Sequence, residues 1–504
     1  MLCQIFAQIL KRDSVSPSDN FFELGGHSLL ATRMVSRIRR TLDIDVTVGA
    51  IFEAPTAARL AASLENVRKT RLPVRHFSRP DVVPLSFAQQ RLWFLEQLEG
   101  PSSTYIVSLA GYFQEELKPD VLAAALRDVL RRHEVLRTIF AVTDGQPHQL
   151  VLDPDDPACD VLSVIPADSQ QLRLRMSEAA SHAFDLAAEL PMRVALFRTT
   201  SEKDEHNDSG SVLVLVVHHI ATDGWSMGLL WRDLSTAYEA RAAGRAPDWT
   251  PLPVQYIDYT LWQRDLLGDF SDPDSLLNRQ VTYWREALTD APQELEFPTD
   301  RPRPAISSHE SGIARIEVPS DVHVGLARIA RERGVTMFML LQAAVATLLF
   351  RLGSGEDIPI GTPIAGRTDE ALHDLVGFFI NTIVLRTDLS GDPSFIELLR
   401  RVRSRGLKAF DNQDVPFERL VEELAPERSM GRHPLFQVML NVERFTRTET
   451  VGLAGAMGAP GSAGTPAAKF DLDFGFAEEL EADGRPAGLA GNIVYARDLF
   501  DEPS

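Results

Sequence analysis

The sequence predicts a small all-helical head followed by a larger α+β body, and three observations lead to this fold class. The 504 residues exceed what a single core usually holds, which favours two or three domains. Near the start, apolar residues recur every four positions, as they do in amphipathic helices. Further along, strand-like apolar runs alternate with segments of helical periodicity. A composition of 44% apolar and 24% charged residues is ordinary for a folded chain.

The head is predicted to occupy residues 1–68 as a bundle of helices. "QIFAQIL" opens one amphipathic helix, and "TAARLAASLE" forms the last. Between them, Leu30, Met34 and Ile38 give another helix its buried stripe.

A linker is predicted at residues 69–83, "KTRLPVRHFSRPDVV". It shows no helical periodicity, and Pro73 and Pro80 bias the residues before them towards extended conformations. Fully extended, a free segment of this length would reach ~50 Å.

The body is predicted to mix strands and helices. Residues 193–198 and 211–220 have the pattern of two strands joined by a polar hairpin loop, whereas "VLAAALRDVLRRH" and "GLARIARERG" have that of helices. Its size favours two lobes, which we place at 84–250 and 251–504 because the proline-rich "RAPDWTPLPVQ" lies between them. The Gly/Ala/Pro-rich segment 452–468 is predicted to be a mobile loop.

Charge and composition exclude several classes of partner. The formal net charge is −20 and the pI is near 5.1, which argues against binding nucleic acid through phosphate contacts. The apolar run 337–350 is shorter than the ~20 residues that a bilayer requires, so we interpret it as a buried core helix and expect no membrane partner. Cys3 and Cys159 have no metal-like spacing, which predicts no metal site and fits a reducing cytoplasm.

Ser28 follows two glycines and a histidine in "FFELGGHSLLATR", at the point where a helical pattern begins. Serine is a favoured N-cap residue, although Ala31 leaves no capping box. The same position would also stabilise an attached phosphate. The spacing alone leaves both interpretations open.

His218 and His219 end an apolar strand, and a polar loop with Asp223 and Gly224 leads into a helix. Neighbouring strand residues point to opposite faces, so we expect one histidine to be catalytic and the other structural. Both faces of the strand are equally apolar, so its pattern does not identify which one is catalytic. Two hydrogen-bonded core histidines remain an alternative, and a zinc site is disfavoured because adjacent strand histidines do not readily share one metal.

The segment "DNFFELGGHSLLATRMVSRIRR" resembles the carrier-protein signature of nonribosomal peptide synthetases. This resemblance implies that a phosphopantetheinyl transferase attaches 4′-phosphopantetheine to Ser28. The thiol of that arm would hold an aminoacyl or peptidyl group as a thioester.

The body resembles the condensation domains of the same synthetases, since "HHIATDG" is similar to their HHxxxDG signature. This resemblance implies two lobes built like chloramphenicol acetyltransferase, with a tunnel between them. Further stretches match the family in order: "PLSFAQQRLWFLEQL", "RHEVLRTIF", "YIDYTLWQR", "IGTPIAGRT", "VGFFINTIVLR", "DVPFERLVEEL" and "HPLFQVML".

Carried over residue by residue, the resemblance implies a catalytic set of His219, Asp223 and Gly224. His219 would point into the tunnel and His218 would be structural. Asp223 would make a structural ion pair, for which we predict Arg367 as the partner, and Gly224 would let the loop backbone approach the substrate.

The implied function is peptide-bond formation. The amine of an acceptor on a downstream carrier would attack the donor thioester held on Ser28, and an upstream adenylation domain would supply the donor. Alternatives are an epimerization domain of the same fold and a non-catalytic recruitment module. A heterocyclization domain would carry a paired-aspartate motif, which is absent.

The chain departs from the family pattern at two places, which limits how far the family's residue roles can be transferred to it. Asn412 occupies a position that is usually histidine, and the chain ends where the family continues into a final helix, so we expect a truncated C-terminus. The sequence does not identify the amino acids joined. "GGHS" rather than "GGDS" favours an L or achiral donor.

Overall fold

The computed structural model describes residues 1–26, 28–64, 71–100, 102–113, 116–167, 171–199, 210–425, 429–446, 451–453, 456–458, 460–461, 467–481 and 484–504. Within these ranges the chain forms a helical head and a body of mixed helices and sheets, which confirms the predicted α+β fold class.

The described part of the head contains four helices around an apolar core. They are α1 (Leu2–Ile9), α2 (Ser28–Leu42), α3 (Val48–Glu53) and α4 (Ala57–Leu64). Met34 and Ile38 of the predicted stripe are fully buried. Helix α3 was not predicted, because six residues are too few to show a helical period. Its first turn is capped by Thr47, whose Oγ1 accepts a hydrogen bond from the Ala50 N–H at 3.2 Å.

The body begins with elements that surround the predicted histidine strand. In chain order they are β1 (Val83–Pro84), α5 (Phe87–Glu99), β2 (Ile106–Phe113), α6 (Pro119–Arg132), β3 (Thr138–Thr143), β4 (Gln146–Val151), β5 (Leu162–Ala167), α7 (Leu172–Ala180), β6 (Met192–Thr199), β7 (Ser211–His218) and α8 (Gly224–Ala242).

The rest of the body continues with helices and then a second set of strands. In chain order they are α9 (Tyr256–Leu267), α10 (Leu276–Ala287), β8 (Ser311–Val318), α11 (Ser320–Arg333), α12 (Met337–Arg351), β9 (Asp357–Ile364), β10 (Asn381–Asp388), α13 (Phe395–Asp411), α14 (Phe417–Leu424), β11 (Val438–Thr446), β12 (Val451–Leu453), β13 (Ala456–Gly458), β14 (Pro460–Gly461), β15 (Leu472–Leu480) and β16 (Pro486–Ala496).

Two main sheets organise the body. The first has the strand order β14-β2-β7-β6-β5, and the second has the order β10-β9-β11-β15-β16-β8. All eight residues of β7 are buried, which explains why its two faces are equally apolar. The hairpin of β6 and β7 is antiparallel as predicted, whereas its loop, 200–209, lies outside the described residues.

The prediction of a mobile loop at 452–468 is wrong for residues 452–453, 456–458 and 460–461, which lie in strands. β12 pairs with β13, and β14 pairs with Ala110 and Gly111 of β2 in the first sheet. Glycine and alanine suggested a loop, but small side chains also permit close strand pairing. Because a late segment joins the first sheet, chain order does not separate the two sheets cleanly, and the lobe boundary at residue 250 stays a prediction.

Residues 71–80, which we call the strap, lie along the body. Side chains and backbone groups of the strap make polar contacts of 2.7–3.1 Å with body residues Asp258, Trp262, Glu134, Asp369 and Asp414. The ~50 Å reach is the maximum for a free segment of this length, and these contacts hold residues 71–80 against the body instead.

The predicted core helix at 337–350 is confirmed as α12, most of whose apolar side chains are buried. Among the described residues, no single helix is long and apolar enough to cross a membrane. The pair α11 and α12 meets the length and composition criteria only when counted together across a bend of 106°.

Candidate functional site

The two histidines lie where β7 ends and the chain turns towards α8. β7 stops at His218, and His219 begins a 3₁₀ turn, His219–Ala221. The prediction that both belong to the strand is therefore wrong by one residue. The turn is fixed by the Tyr105 carbonyl, which accepts a hydrogen bond from the His219 N–H at 2.7 Å.

The side chain of His218 is buried in the core next to the first sheet. Its Nδ1 accepts a hydrogen bond from the Ile220 N–H at 3.1 Å, so the neutral ring carries its proton on Nε2. The ring packs edge-on against Phe184 and lines a small cavity with Leu92 and Glu96. Burial, followed by the charge of His219, lowers the pKa of His218 to about 3. These surroundings suit a structural residue.

His219 faces a different set of groups. Its Nδ1 lies 2.7 Å from the Thr222 carbonyl oxygen, and since a carbonyl only accepts, the proton is on Nδ1. Nε2 therefore keeps a lone pair. The ring lies 5.0 Å from that of Phe378. Burial, and then the charge of Lys469, lowers the pKa of His219 to about 4, so the imidazole is neutral at pH 7.

Asp223 caps α8 and forms an ion pair with Arg367, the partner named from the sequence. Its Oδ1 accepts hydrogen bonds from the Ser226 N–H at 2.8 Å and from Arg367 Nη2 at 3.2 Å. Its Oδ2 accepts one from the Phe379 N–H at 3.1 Å. Both charged side chains are 1% exposed, so each charge depends on the other for compensation.

Arg367 is held by more than Asp223. Its Nη2 donates to Ser226 Oγ at 2.7 Å and its Nη1 donates to the Leu375 carbonyl at 2.6 Å. Its guanidinium carbon lies 4.0 Å from the centre of the Phe379 ring. The pair thus ties the start of α8 to the segment that leads into β10.

Gly224 is the first residue of α8, immediately after the cap. No described protein atom lies within 4 Å of the position that a Cβ would take. Protein packing therefore does not require glycine here, and the predicted role of leaving room for a substrate stays a prediction.

Asp223→Asn is expected to destabilise the fold as well as lower activity. Asparagine can keep the cap, but Arg367 loses its anion, and the amide NH₂ in place of Oδ2 would face the Phe379 N–H. Breaking a buried pair typically costs ~3–5 kcal/mol of unfolding free energy. Denaturant titration followed by tryptophan fluorescence measures this loss.

The matched control is Asp155→Asn, which breaks an exposed ion pair with Arg131 and is expected to change stability little. If Asp223→Asn were as stable as wild type yet inactive, Asp223 would have a direct chemical role instead.

The structure adds Lys469 to this site. The sequence did not predict a role for this residue. Its Nζ lies 4.9 Å from the centre of the Tyr105 ring, next to the carbonyl that fixes His219. The only signal in the sequence is a charged residue between the small and apolar residues of "AAKFDLDFGF".

Ser28 is the first residue of α2 rather than the cap before it, and its side chain lies outside the described residues. The loop before it depends on two glycines. Gly25 has φ +100°, and a Cβ on Gly26 would lie 2.4 Å from the Phe21 ring.

An arginine stripe on α2, formed by Arg33, Arg37 and Arg40, packs against the body at Trp225 and Glu370. The Arg33 guanidinium carbon lies 4.7 Å from the centre of the Trp225 ring, and Trp225 is the residue after Gly224. Arg37 and Arg40 both form ion pairs with Glu370, the latter at 2.9 Å. The helix that starts at Ser28 therefore lies against the start of α8.

Asn412 ends α13 and bonds locally. Its side-chain amide donates to the Lys408 carbonyl at 2.9 Å, and its own carbonyl accepts from Trp284 Nε1 at 2.8 Å. These contacts give Asn412 a structural place at the end of α13. Among the described residues, no group of three or more His, Cys, Asp or Glu side chains could hold a metal ion.

Two family models match the chain. Residues 79–504 match the model described as "Condensation domain", and residues 2–64 match that described as "Phosphopantetheine attachment site". These matches confirm the two resemblances and their order.

Curated relatives agree with the models. Over 99% of this chain, it is 49% identical to a dimodular nonribosomal peptide synthase of Bacillus subtilis and 43% identical to an isonitrile lipopeptide synthase of Mycobacterium tuberculosis. The chain spans only 21% and 20% of the length of these relatives.

Solved structures include an X-domain in complex with OxyB from teicoplanin biosynthesis, with a TM-score of 0.78 and 36% identity over 86% of this chain and 92% of that one. The first condensation domain of the calcium-dependent antibiotic synthetase shares the fold, with a TM-score of 0.66 and 19% identity over 84% of this chain and 93% of that one.

Proposed function

Because the chain belongs to the condensation-domain family of nonribosomal peptide synthetases and carries a phosphopantetheine attachment domain in front, we propose that it forms a peptide bond between two carrier-bound groups. The acyl group held on the head is the donor. The acceptor is an aminoacyl group on a second carrier, which binds from outside this chain.

One observation carries the donor assignment: the arginine stripe of α2 packs against the start of α8, the helix that follows the histidine turn. Arg33 contacts Trp225, and Trp225 lies six residues after His219. Ser28 precedes Arg33 by five residues, about 7.5 Å along the helix. An arm attached to Ser28 therefore starts close to the reaction site.

The loop before Ser28 fits the attached group. Gly25 and Gly26 adopt a turn that other residues would strain, and this turn leads into a helix start where backbone N–H groups favour a phosphate. The arm, once attached by a phosphopantetheinyl transferase, supplies a thiol that holds the donor as a thioester.

Within the site, His219 is proposed to orient the attacking amine. Nε2 holds a lone pair that can accept a hydrogen bond from the amine N–H, because Nδ1 donates to Thr222. With a pKa of about 4, the imidazole is a weak base towards a free ammonium group. It can take a proton once attack on the carbonyl has made the nitrogen acidic. His218, Asp223 and Arg367 hold the turn in place, and Gly224 leaves room beside it.

The recruitment module remains the second candidate because of the similarity to the X-domain that was solved with OxyB. The intact His218, His219, Asp223 and Gly224 favour catalysis. An epimerization domain would act on the loaded donor alone, without an acceptor.

The test is reconstitution with defined partners. The chain is loaded at Ser28 with one of a small panel of L-aminoacyl groups and mixed with a separate acceptor carrier loaded with a second amino acid. Mass spectrometry is expected to find the dipeptide on the acceptor carrier and a free thiol on the arm attached to Ser28. Dipeptide on Ser28 would reverse the donor assignment.

Two other outcomes would overturn the proposed reaction. Racemised donor without an amide would indicate an epimerization domain, and no reaction with any pair would favour recruitment. An adenylation domain upstream and a location in the reducing cytoplasm complete the proposal, the latter because Cys3 and Cys159 are both free thiols.

A further inference from the structure

Residues on both sides of Lys469 in the chain are held in place by hydrogen bonds and by an ion pair. The Ala468 N–H donates to the His309 carbonyl at 3.0 Å, and His309 Nδ1 lies 3.0 Å from the Ala468 carbonyl. Two residues later, Asp471 forms a bidentate pair with Arg303 at 2.8 and 2.6 Å. The backbone at Lys469 is therefore held in position, and so is the Cα atom from which its side chain extends.

The ammonium group of Lys469 lies over the Tyr105 ring, 4.9 Å from its centre. Tyr105 also holds the His219 backbone through its carbonyl. Within the described ranges, Lys469 has no hydrogen-bond acceptor and no carboxylate within 4.0 Å. Lys469 is partly exposed, so its three hydrogen-bond donors can reach a group that enters the site with the substrate.

The other charged groups near Lys469 are already committed or distant. Arg91 pairs with Glu418 at 3.3 Å and lies over the Phe417 ring. Asp473 faces Lys469 but is not within ion-pair distance, and burial raises the pKa of Asp473 to about 6. In the described part of the chain, Lys469 is thus a cation near His219 with open hydrogen-bond donors.

We propose that Lys469 donates a hydrogen bond to the carbonyl oxygen of the donor acyl group and stabilises the negative charge that develops there. The proposal rests on the proposed function. As the acceptor nitrogen attacks the carbonyl carbon, the C–N bond forms and the π electron pair moves to the oxygen that Lys469 contacts. The pair on the oxygen then re-forms the C=O bond as the C–S bond breaks and its electron pair leaves on sulfur. The proton lost by nitrogen is passed through His219 and converts the thiolate to a thiol.

The pKa values of Lys469 and His219 agree with a role for Lys469 at the carbonyl oxygen and for His219 at the attacking nitrogen. Burial, followed by the charge of Arg91, lowers the pKa of Lys469 to about 8, so the group is still mainly charged at pH 7. The same charge disfavours protonation of His219. A cation for the oxygen and a neutral imidazole for the nitrogen can therefore coexist.

Binding of analogues tests the proposal without turnover. A glycine-based phosphonamidate has an anionic tetrahedral centre, whereas the matching amide is planar and neutral. Calorimetry with the full chain is expected to give tighter binding of the phosphonamidate to wild type, and Lys469→Met is expected to remove that preference. Equal preference in wild type and Lys469→Met would overturn the proposal.

Single-turnover rates give a second test. Removing an oxyanion donor typically costs about 10²- to 10³-fold in rate, and we expect a loss of this size in Lys469→Met but none in the exposed control Lys118→Met. Melting temperature and Ser28 loading are compared to verify folding. If wild type makes no amide, the proposed function fails. If wild type is active and Lys469→Met equals it, only this inference fails.

The pH profile separates charge from structure. Lysine loses its proton as the pH rises through about 8, so the wild-type rate is expected to fall there. Asp473, His218 and His219 have pKa values of about 6, 3 and 4, which lie below this range. Lys469→Arg is expected to keep its rate through pH 8. A fall in Lys469→Arg at the same pH as in wild type would contradict the role of the ammonium.

Discussion

His219→Ala is expected to slow peptide-bond formation far more than His218→Gln, while Ser28 loading stays at the wild-type level. The side chain of His219 offers a free Nε2 beside Phe378, whereas that of His218 is turned towards Phe184. A general base contributes ~10² to 10⁴-fold. A residue that orients the amine contributes less, and its contribution depends on the acceptor.

Acceptors of differing amine pKa distinguish these two roles in single-turnover experiments. His219 is neutral above its pKa of about 4, so activity that depends on it is lost only as the pH falls through about 4. A limb that rises between pH 6 and 8 would belong to the acceptor amine, in contrast to the fall near pH 8 expected from Lys469. A loss in His219→Ala that stays large for every acceptor would exclude orientation alone, and wild-type activity in this variant would remove His219 from the mechanism.

Ser28→Ala is expected to abolish attachment of the arm, and with it every product that depends on a donor held on the head. The hydroxyl at the start of α2 is the only group that we assign to attachment, and alanine cannot form the phosphodiester. Incubation with a phosphopantetheinyl transferase followed by intact-mass measurement tests this. Wild type is expected to gain one arm and the variant none.

Ser14→Ala is the matched control, since Ser14 is an exposed serine of the same domain, and it is expected to gain one arm. The same mass gain in Ser28→Ala as in wild type would assign attachment to another residue. Amide formation by Ser28→Ala from a donor offered as a free thioester would show that the body retains its chemistry without the arm.

Local patterns predicted most of the fold because they depend on neighbours in the sequence. The stripe of Leu30, Met34 and Ile38 predicted α2, and the apolar run at 337–350 predicted α12. Boundaries depend on distant partners. His219 leaves the strand because the Tyr105 carbonyl holds its N–H, and no pattern in "VVHHIATDG" contains that contact.

The candidate site was predictable only where a family motif covered it. The pairing of Asp223 with Arg367 followed from the resemblance, and the structure has this contact. Lys469 is 250 residues from His219 in the sequence, and only tertiary packing brings its charge to the same turn. The pairing of β14 with β2 was missed for the same reason.

The strap keeps the head tethered close to the body of the same chain. Only seven backbone steps separate Leu64, the end of α4, from Arg71, which pairs with Asp414, and such a segment spans at most ~25 Å. A tether this short gives an effective concentration in the millimolar range. Individually weak contacts, such as those of the arginine stripe, then suffice to keep the head against the body. Enzymes that modify or charge Ser28 must therefore come to the head, since it cannot travel far to them while the strap stays bound.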